Sequence, residues 1–456
     1  MPHRHRVKPR LGFIPPQYNP WVMRTSYALV PLFLRVRLRR WLPAGIWPVT
    51  CQNPDVLVKH FEQFQKGNTR LILAFRHSQV DDPLCLAYLF ARILPRTARQ
   101  QGGFLPQPIH TYFMYDRGMP LWAGRWLGWF FSRMGGIPVH RGRRLDLTAL
   151  KTVREYLLEG QFPMTIAPEG ATNGHGEIVS PLEPGAAQLA FWTVEALQKM
   201  DRSEQVLIVP VGLRYFYPHP DWQALDRLLT RLEMDAGLSP HTEDYYQRLL
   251  RLGQYLLTRM EQFYGRYYSG HFTNSQAWNE APEALGQRLS QVLEVALEVG
   301  ENFFGLPSNG SIISRCRRLE EAGWSYIYRE DIQALRQLPP LEQGLANWLA
   351  EEANLHMRHM RLVESFVAVS GHYVQEQPTF ERFAETTLIL FDLMERLRGV
   401  NIPQRPQLGR RHGVITVGEA INVSQRWSDY APSRRAAKGA IATLTKDLQK
   451  SLESLL

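Results

Sequence analysis

Between Pro54 and about Tyr217, short apolar runs alternate with longer segments of helical period. The run at 71–75, Leu-Ile-Leu-Ala-Phe, has the length of a strand. A helix is predicted over 56–65 ahead of it. Another follows Asp82, opening on Pro83, where a missing N–H costs nothing. Further strands are predicted at 109–114, 163–167 and 206–213, with helices at 146–158 and 185–198 between them. Strands alternating with helices of this length predict a layered α/β domain with a largely parallel sheet.

After Pro218-His219-Pro220 the pattern turns helical, with helices predicted at 221–233, 243–268, 283–303, 330–338, 341–374 and 380–397. In 243–268 the apolar residues fall on one face and arginines and glutamines on the other, a packing surface between helices. Strand character returns at 413–423, and a basic helix is predicted from 432 to 455.

The chemistry-bearing residues begin where the 71–75 run ends, in Arg76-His77-Ser78-Gln79-Val80-Asp81-Asp82-Pro83. A histidine at a strand end, with carboxylates four and five residues later, joins a nitrogen base to an acid that can orient it. That is the least apparatus for taking a proton from an alcohol. The same pattern also serves local structure, with aspartate as a helix N-cap. Three more segments come after it in order. They are Gly135-Gly136-Ile137-Pro138-Val139-His140-Arg141-Gly142, then Ile166-Ala167-Pro168-Glu169-Gly170, then the strand carrying Pro210.

Together these four blocks resemble the glycerolipid acyltransferase superfamily, which includes lysophosphatidate and glycerol-3-phosphate acyltransferases. His77 and Asp82 fall on its His-x4-Asp block, Arg141 on the basic position of the second, Glu169 and Gly170 on Pro-Glu-Gly, and Pro210 on the last. The resemblance implies an acyltransferase-type layered α/β domain and an activity like 1-acylglycerol-3-phosphate O-acyltransferase. His77 is then the general base and Asp82, rather than Asp81, its orienting partner. Arg141 holds the acceptor's phosphate, since a guanidinium matches phosphate oxygens in pairs. Glu169 and Gly170 shape the acceptor pocket, with Glu169 accepting hydrogen bonds from hydroxyls.

Two positions depart from the family pattern. Arg76 stands where the family usually has asparagine, and Ala171-Thr172-Asn173 replaces Thr-Arg-Ser. Arg76 is therefore a candidate for the cation that the second change removes. The partners implied are acyl-CoA or acyl-carrier protein as donor, and a lysophospholipid or glycerol-phosphate-type acceptor. No metal or organic cofactor is implied. The competing reading is a non-catalytic lipid-binding or membrane-scaffold protein on a degenerate domain of the same fold.

In the family, an apolar strand running into Gly-Glu-Pro closes the α/β domain, and Val417-Gly418-Glu419-Ala420 looks like that element. The expected organisation is an N-terminal basic amphipathic arm at 1–48 and a discontinuous acyltransferase domain at 49–218 plus 408–456. A helical region at 219–407 interrupts it. In the tandem alternative, the helical region and the residues after it make a separate C-terminal domain.

A chain of 456 residues with 44% hydrophobic content supports more than one core. Cys51, Cys85 and Cys316 are too few and too scattered for a disulfide framework or a zinc site. A net charge of +10 points to an anionic partner. The basic clusters at 35–40 and 141–144 lie beside apolar or motif residues, and no nucleic-acid-binding signature is present, so nucleic acid is excluded. No apolar run reaches the ~18 residues of a membrane span. The segments 26–42 and 120–131, the latter with Trp122, Trp126 and Trp129 around Arg125, instead suit the headgroup layer. Peripheral attachment to the cytoplasmic side of a membrane is the expectation. His356 and His359 with Glu351 and Glu352 do not have the spacing of a di-iron bundle and read as structural.

Overall fold

The computed structural model describes residues 6–9, 12–36, 45–103, 105–106, 108–120, 124–139, 146–240, 244–268, 282–329, 331–332, 337–364, 372–400 and 402–456. These residues fall into two units. Residues 13–139, 146–219 and 409–456 form an α/β unit, and 6–12 with 220–408 form a helical one.

The α/β unit is built on strands β1 (Ile46–Gln52), β2 (Thr69–Phe75), β3 (Tyr112–Asp116), β4 (Gly136–Val139), β5 (Met164–Ile166), β6 (Gln205–Phe216), β7 (Arg411–Val417) and β8 (Ile421–Asn422). They form one sheet in the order β1-β7-β6-β2-β5-β3-β4, with β8 also paired to β6. β2, β3, β4, β5 and β6 run parallel, whereas β7 and β8 run antiparallel to β6. The alternation explains how a continuous apolar run stays in register. Leu71, Leu73 and Phe75 enter one core with helix α2 (Pro54–Gln65), while Ile72 and Ala74 enter the other. Helices α5 (Leu147–Glu159) and α6 (Gly185–Lys199), with the terminal helix Arg434–Ser454, cover that second face. A sheet buried on both faces needs apolar residues on both, which is why β2 shows no polar alternation.

Pro210 lies on β6, between strands on both sides, where a missing N–H should break a ladder. The partner strand is itself broken there. β7 ends opposite Val211, β8 begins opposite Ile208, and Gly418 N–H donates to the Pro210 carbonyl at 2.9 Å.

Helix α1 (Pro20–Arg35) lies in the stretch read as an N-terminal basic amphipathic arm at 1–48. Its Val30 and Leu34 are buried in the same core as β1 and β2, so residues 13–36 are part of the α/β unit. Of residues 1–48, 1–5, 10–11 and 37–44 lie outside the described residues.

The helical unit contains Trp222–Asp235, Tyr245–Tyr267, Pro282–Phe304, Ile312–Ile327, Pro340–Glu364 and Phe380–Leu397. Ile312–Ile327 was not anticipated, and the described residues of 330–338 form no α-helix. The arginines and glutamines of 243–268 do not all face outward. Arg248 and Gln254 are buried, Arg248 because it pairs with the equally buried Glu233 at 2.7 Å. Arg315–Glu301 at 2.8 Å and Arg288–Glu261 at 2.6 Å repeat the device between other helices. The two histidines read as structural also pack here. His359 Nδ1 meets the Tyr264 hydroxyl at 2.8 Å, and His356 stacks on Phe303 at 3.8 Å.

Candidate active site

β2 ends at Phe75, Arg76 N–H still donates to the β6 carbonyl of Val211, and the chain then turns into helix α3 (Asp82–Tyr88). His77 therefore sits at the carboxyl end of a central parallel strand, where loops of an open α/β sheet gather. Its Nδ1 lies 3.1 Å from Asp82 Oδ2. The same oxygen accepts Gln79 N–H at 2.8 Å, and Oδ1 accepts the Tyr215 hydroxyl at 2.6 Å. Asp82 accepts on both oxygens, so His77 Nδ1 is the donor, which in the neutral ring leaves the lone pair on Nε2. Among the described residues no protein group hydrogen-bonds Nε2, and the ring is 19% exposed while Asp82 is fully buried.

Asp81 is also fully buried but turns to the other side of the loop. Its Oδ2 pairs with Arg411 Nη2 at 2.5 Å, and Arg411 Nη1 donates to Gln79 Oε1. Arg411 reaches this end of the sheet because β7 is antiparallel to β6, which puts its first residues opposite Tyr215 and Phe216. The guanidinium lies 4.9 Å from the Tyr215 ring centre. Burial works against the Arg411 charge, but Asp81, Tyr217 and Tyr215 outweigh it and the proton is held more tightly than usual. Burial foremost, then Asp82, pushes the Tyr215 hydroxyl well above its ordinary value, so it remains a donor.

The Pro-Glu-Gly segment arrives from β5, the neighbour of β2, and its loop lies beside the His77 loop. Glu169 is 1% exposed, and both oxygens are occupied. Oε1 accepts His77 N–H at 2.9 Å; Oε2 accepts Ser180 N–H at 2.8 Å and Asn173 Nδ2 at 3.4 Å. The acceptor-binding expectation for Glu169 thus meets a carboxylate already engaged by three donors within the domain. Glu169 braces the backbone of His77. Gly170 adopts φ +73°, a left-handed conformation that a side chain would strain, so its place is first a matter of backbone geometry.

Arg76, the candidate extra cation, is likewise engaged inside the domain. It is fully buried, and its guanidinium donates to the carbonyls of Gly176, Leu213, His175 and Ile178. It ties the 175–178 loop to β6. Asn173, which stands in the altered segment after Pro-Glu-Gly, bonds Ile178 O at 2.6 Å and Ser180 Oγ at 3.0 Å in the same loop. Arg141 lies outside the described residues. Tyr215 and Arg411 were not anticipated. Tyr215 had only its place near the end of a strand to mark it, and Arg411 lies 330 residues from the aspartate it meets.

A strand-end imidazole with one nitrogen tied to a buried carboxylate can accept a proton at the other. Residues 49–214 match the acyltransferase family model. This segment is an acyltransferase domain of the glycerolipid acyltransferase family. No curated protein matches the chain. The acyltransferase domain holds His77, Asp82, Glu169, Gly170 and Pro210, and supports acyl transfer in the general sense.

Proposed function

We propose that the protein is an O-acyltransferase that moves a fatty acyl group from an acyl thioester to a hydroxyl of a lysophospholipid or related glycerolipid. The observation that carries this reading is the His77–Asp82 pair within the matched acyltransferase domain, with Asp82 held by three donors. His77 Nε2 takes the acceptor's hydroxyl proton as its oxygen attacks the thioester carbonyl. Asp82 keeps the ring oriented and offsets the imidazolium charge. The tetrahedral intermediate collapses, the C–S bond breaks, and the imidazolium proton passes to the departing thiolate. Products are the ester and a free thiol, and the base is regenerated. With Arg76 and Arg411 engaged inside the domain, the acceptor's phosphate is assigned to Arg141, on the family resemblance alone. Acyl-CoA and acyl-carrier protein both supply the required thioester.

Attachment to a membrane is part of the same proposal. Trp21, Leu29, Leu32 and Val36 are exposed along one side of α1, with Arg24 and Arg35 also exposed. Helix α4 (Arg125–Arg133) exposes Trp126 and Trp129, and its end is tied to the start of α1 by Gln17 N–H to Ser132 O and Asn19 N–H to Arg133 O. Apolar and aromatic side chains beside arginines suit a headgroup layer. No described helix is long and apolar enough to cross a membrane.

The test is transfer of labelled acyl groups from each thioester to a panel of lysolipids and polyol phosphates. His77→Ala should lower turnover by about two to four orders of magnitude with unchanged folding. Near-normal turnover would remove His77 as the base. Replacing Trp21, Leu32 and Trp129 by serine should weaken co-sedimentation with anionic vesicles while sparing turnover on detergent-dispersed substrate; unchanged sedimentation would refute the surface.

A further inference from the structure

We propose that Arg411 is a positioning residue for His77. It draws Asp81 away from the imidazole and cancels its charge, so that the base answers to Asp82 alone. The inference rests on His77 being the base. Two adjacent aspartates come after that histidine, and spacing alone allows either as its partner. The choice is made by strand β7. Asp81 Oδ2 is 2.5 Å from Arg411 Nη2, whereas Asp82 Oδ2 is 3.1 Å from His77 Nδ1, and both carboxylates are fully buried.

Arg411 also grips the loop at a second point, through Gln79 Oε1, and Gln79 N–H is itself a donor to Asp82. Its guanidinium covers the ring of Tyr215, whose hydroxyl supplies another bond to Asp82. One side chain thus touches Asp81 and two of the groups that hold Asp82. It comes from the first residue of the strand after the helical unit, three residues beyond Leu408.

The charge arrangement gives this contact a measurable signature. Around the His77–Asp82 pair and the groups that hold it stand Asp81 on the same loop, Glu169 from the loop after β5, and Arg76 immediately before His77. Tyr215 comes from β6, Cys85 from α3 and Arg411 from β7. Cys85 and Tyr215 are buried and held in the neutral form, so the ionic balance is three carboxylates against two guanidinium groups. Removing Arg411 takes a positive charge away from the Asp81 carboxylate, four residues along the chain from His77, which favours the imidazolium. Removing the Asp81 charge instead takes a negative charge away from Arg411, which disfavours it. Opposite effects from the two halves of one ion pair are not expected of a contact that only holds the fold.

The experiment measures kcat/KM against pH for the full chain and for Arg411→Gln, Asp81→Asn, Arg411→Lys and the double variant Asp81→Asn/Arg411→Gln. Carbethoxylation of His77 against pH, read by mass spectrometry of its peptide, tracks the same protonation without any turnover. Arg411→Gln should move the acid limb and the labelling midpoint up by about one pH unit, and Asp81→Asn should move both down. The double variant should return them to within a few tenths, and Arg411→Lys should restore most of the wild-type profile.

Single variants that leave both curves in place, or move them the same way, would overturn the proposal. So would a double variant that does not return. If Arg411→Gln fails to fold, Asp81→Asn and Arg411→Lys still decide the sign. A wild-type protein that transfers no acyl group would instead overturn the functional reading, and the labelling curves would still judge the charge pairing.

Discussion

Replacing Glu169 by glutamine changes one atom and separates two roles for the Pro-Glu-Gly segment. The carboxylate accepts from His77 N–H at 2.9 Å on Oε1, and from Ser180 N–H at 2.8 Å and Asn173 Nδ2 on Oε2. Both sides present donors, so a glutamine in either orientation turns its NH2 group against an N–H. Its oxygen serves one side, and the other side loses a charge-assisted bond worth roughly 1.5–3 kcal/mol in a buried setting. With Glu169 only 1% exposed, water cannot replace what is lost. The expected cost is about 2–3 kcal/mol, or a fall in melting temperature of about 4–12 °C for a unit of this size. The assay is thermal unfolding followed by circular dichroism, beside kcat and KM for donor and acceptor. The backbone of His77 loses an anchor, so kcat should fall along with stability. A variant that melts with wild-type protein and shows only a raised acceptor KM would refute the reasoning. Glu169 would then meet the acceptor, as family resemblance implied.

Arg76→Met should also destabilise the α/β unit, by roughly 3–5 kcal/mol, because four buried carbonyls lose their donor. Urea unfolding measures it, and an intact midpoint with a raised acceptor KM would restore Arg76 as a ligand group. Stability should also fall on acidification. His110 donates from Nε2 to Met134 O at 2.9 Å, accepts the Tyr27 hydroxyl at 2.6 Å, and is lowered by burial from 6.5 to about 4. The unfolded chain therefore binds the extra proton between those values. The contribution is complete above pH 6.5 and is lost as pH falls toward 4, by up to about 3 kcal/mol. His359 in the helical unit, also lowered by burial to about 4, acts in the same sense. Urea midpoints at pH 7.5 and 5 measure the sum, and His110→Gln should flatten the difference; equal midpoints in the wild type would contradict it.

The sequence by itself determined what is local or periodic. The runs at 71–75 and 206–213 appear as parts of β2 and β6, and the helix expected at 380–397 appears as Phe380–Leu397. The two strands are continuous apolar runs of strand length, and the helix repeats its apolar positions every 3.6 residues. The order of the blocks from His77 to Pro210 was likewise legible, because each block is a few contiguous residues at a strand end. Helix Ile312–Ile327 was missed although Cys316, Leu319, Gly323 and Ile327 mark its buried face, since Arg315 is buried on that same face and Arg317 and Arg318 interrupt the apolar stripe.

Tertiary structure decided which polar groups meet, and so what each does. Arg248 lies within a polar face by period and is buried by its pairing with Glu233. Arg76 lies next to the histidine and bonds carbonyls on other segments, while Glu169 holds the backbone of His77 rather than opening to a ligand. Of two neighbouring aspartates, Asp82 bonds His77 while Asp81 pairs with an arginine 330 residues away. Spacing along a chain fixes which residues share a face or a loop. A desolvated charge takes the nearest complementary group in space, and only the assembled sheet supplies that group.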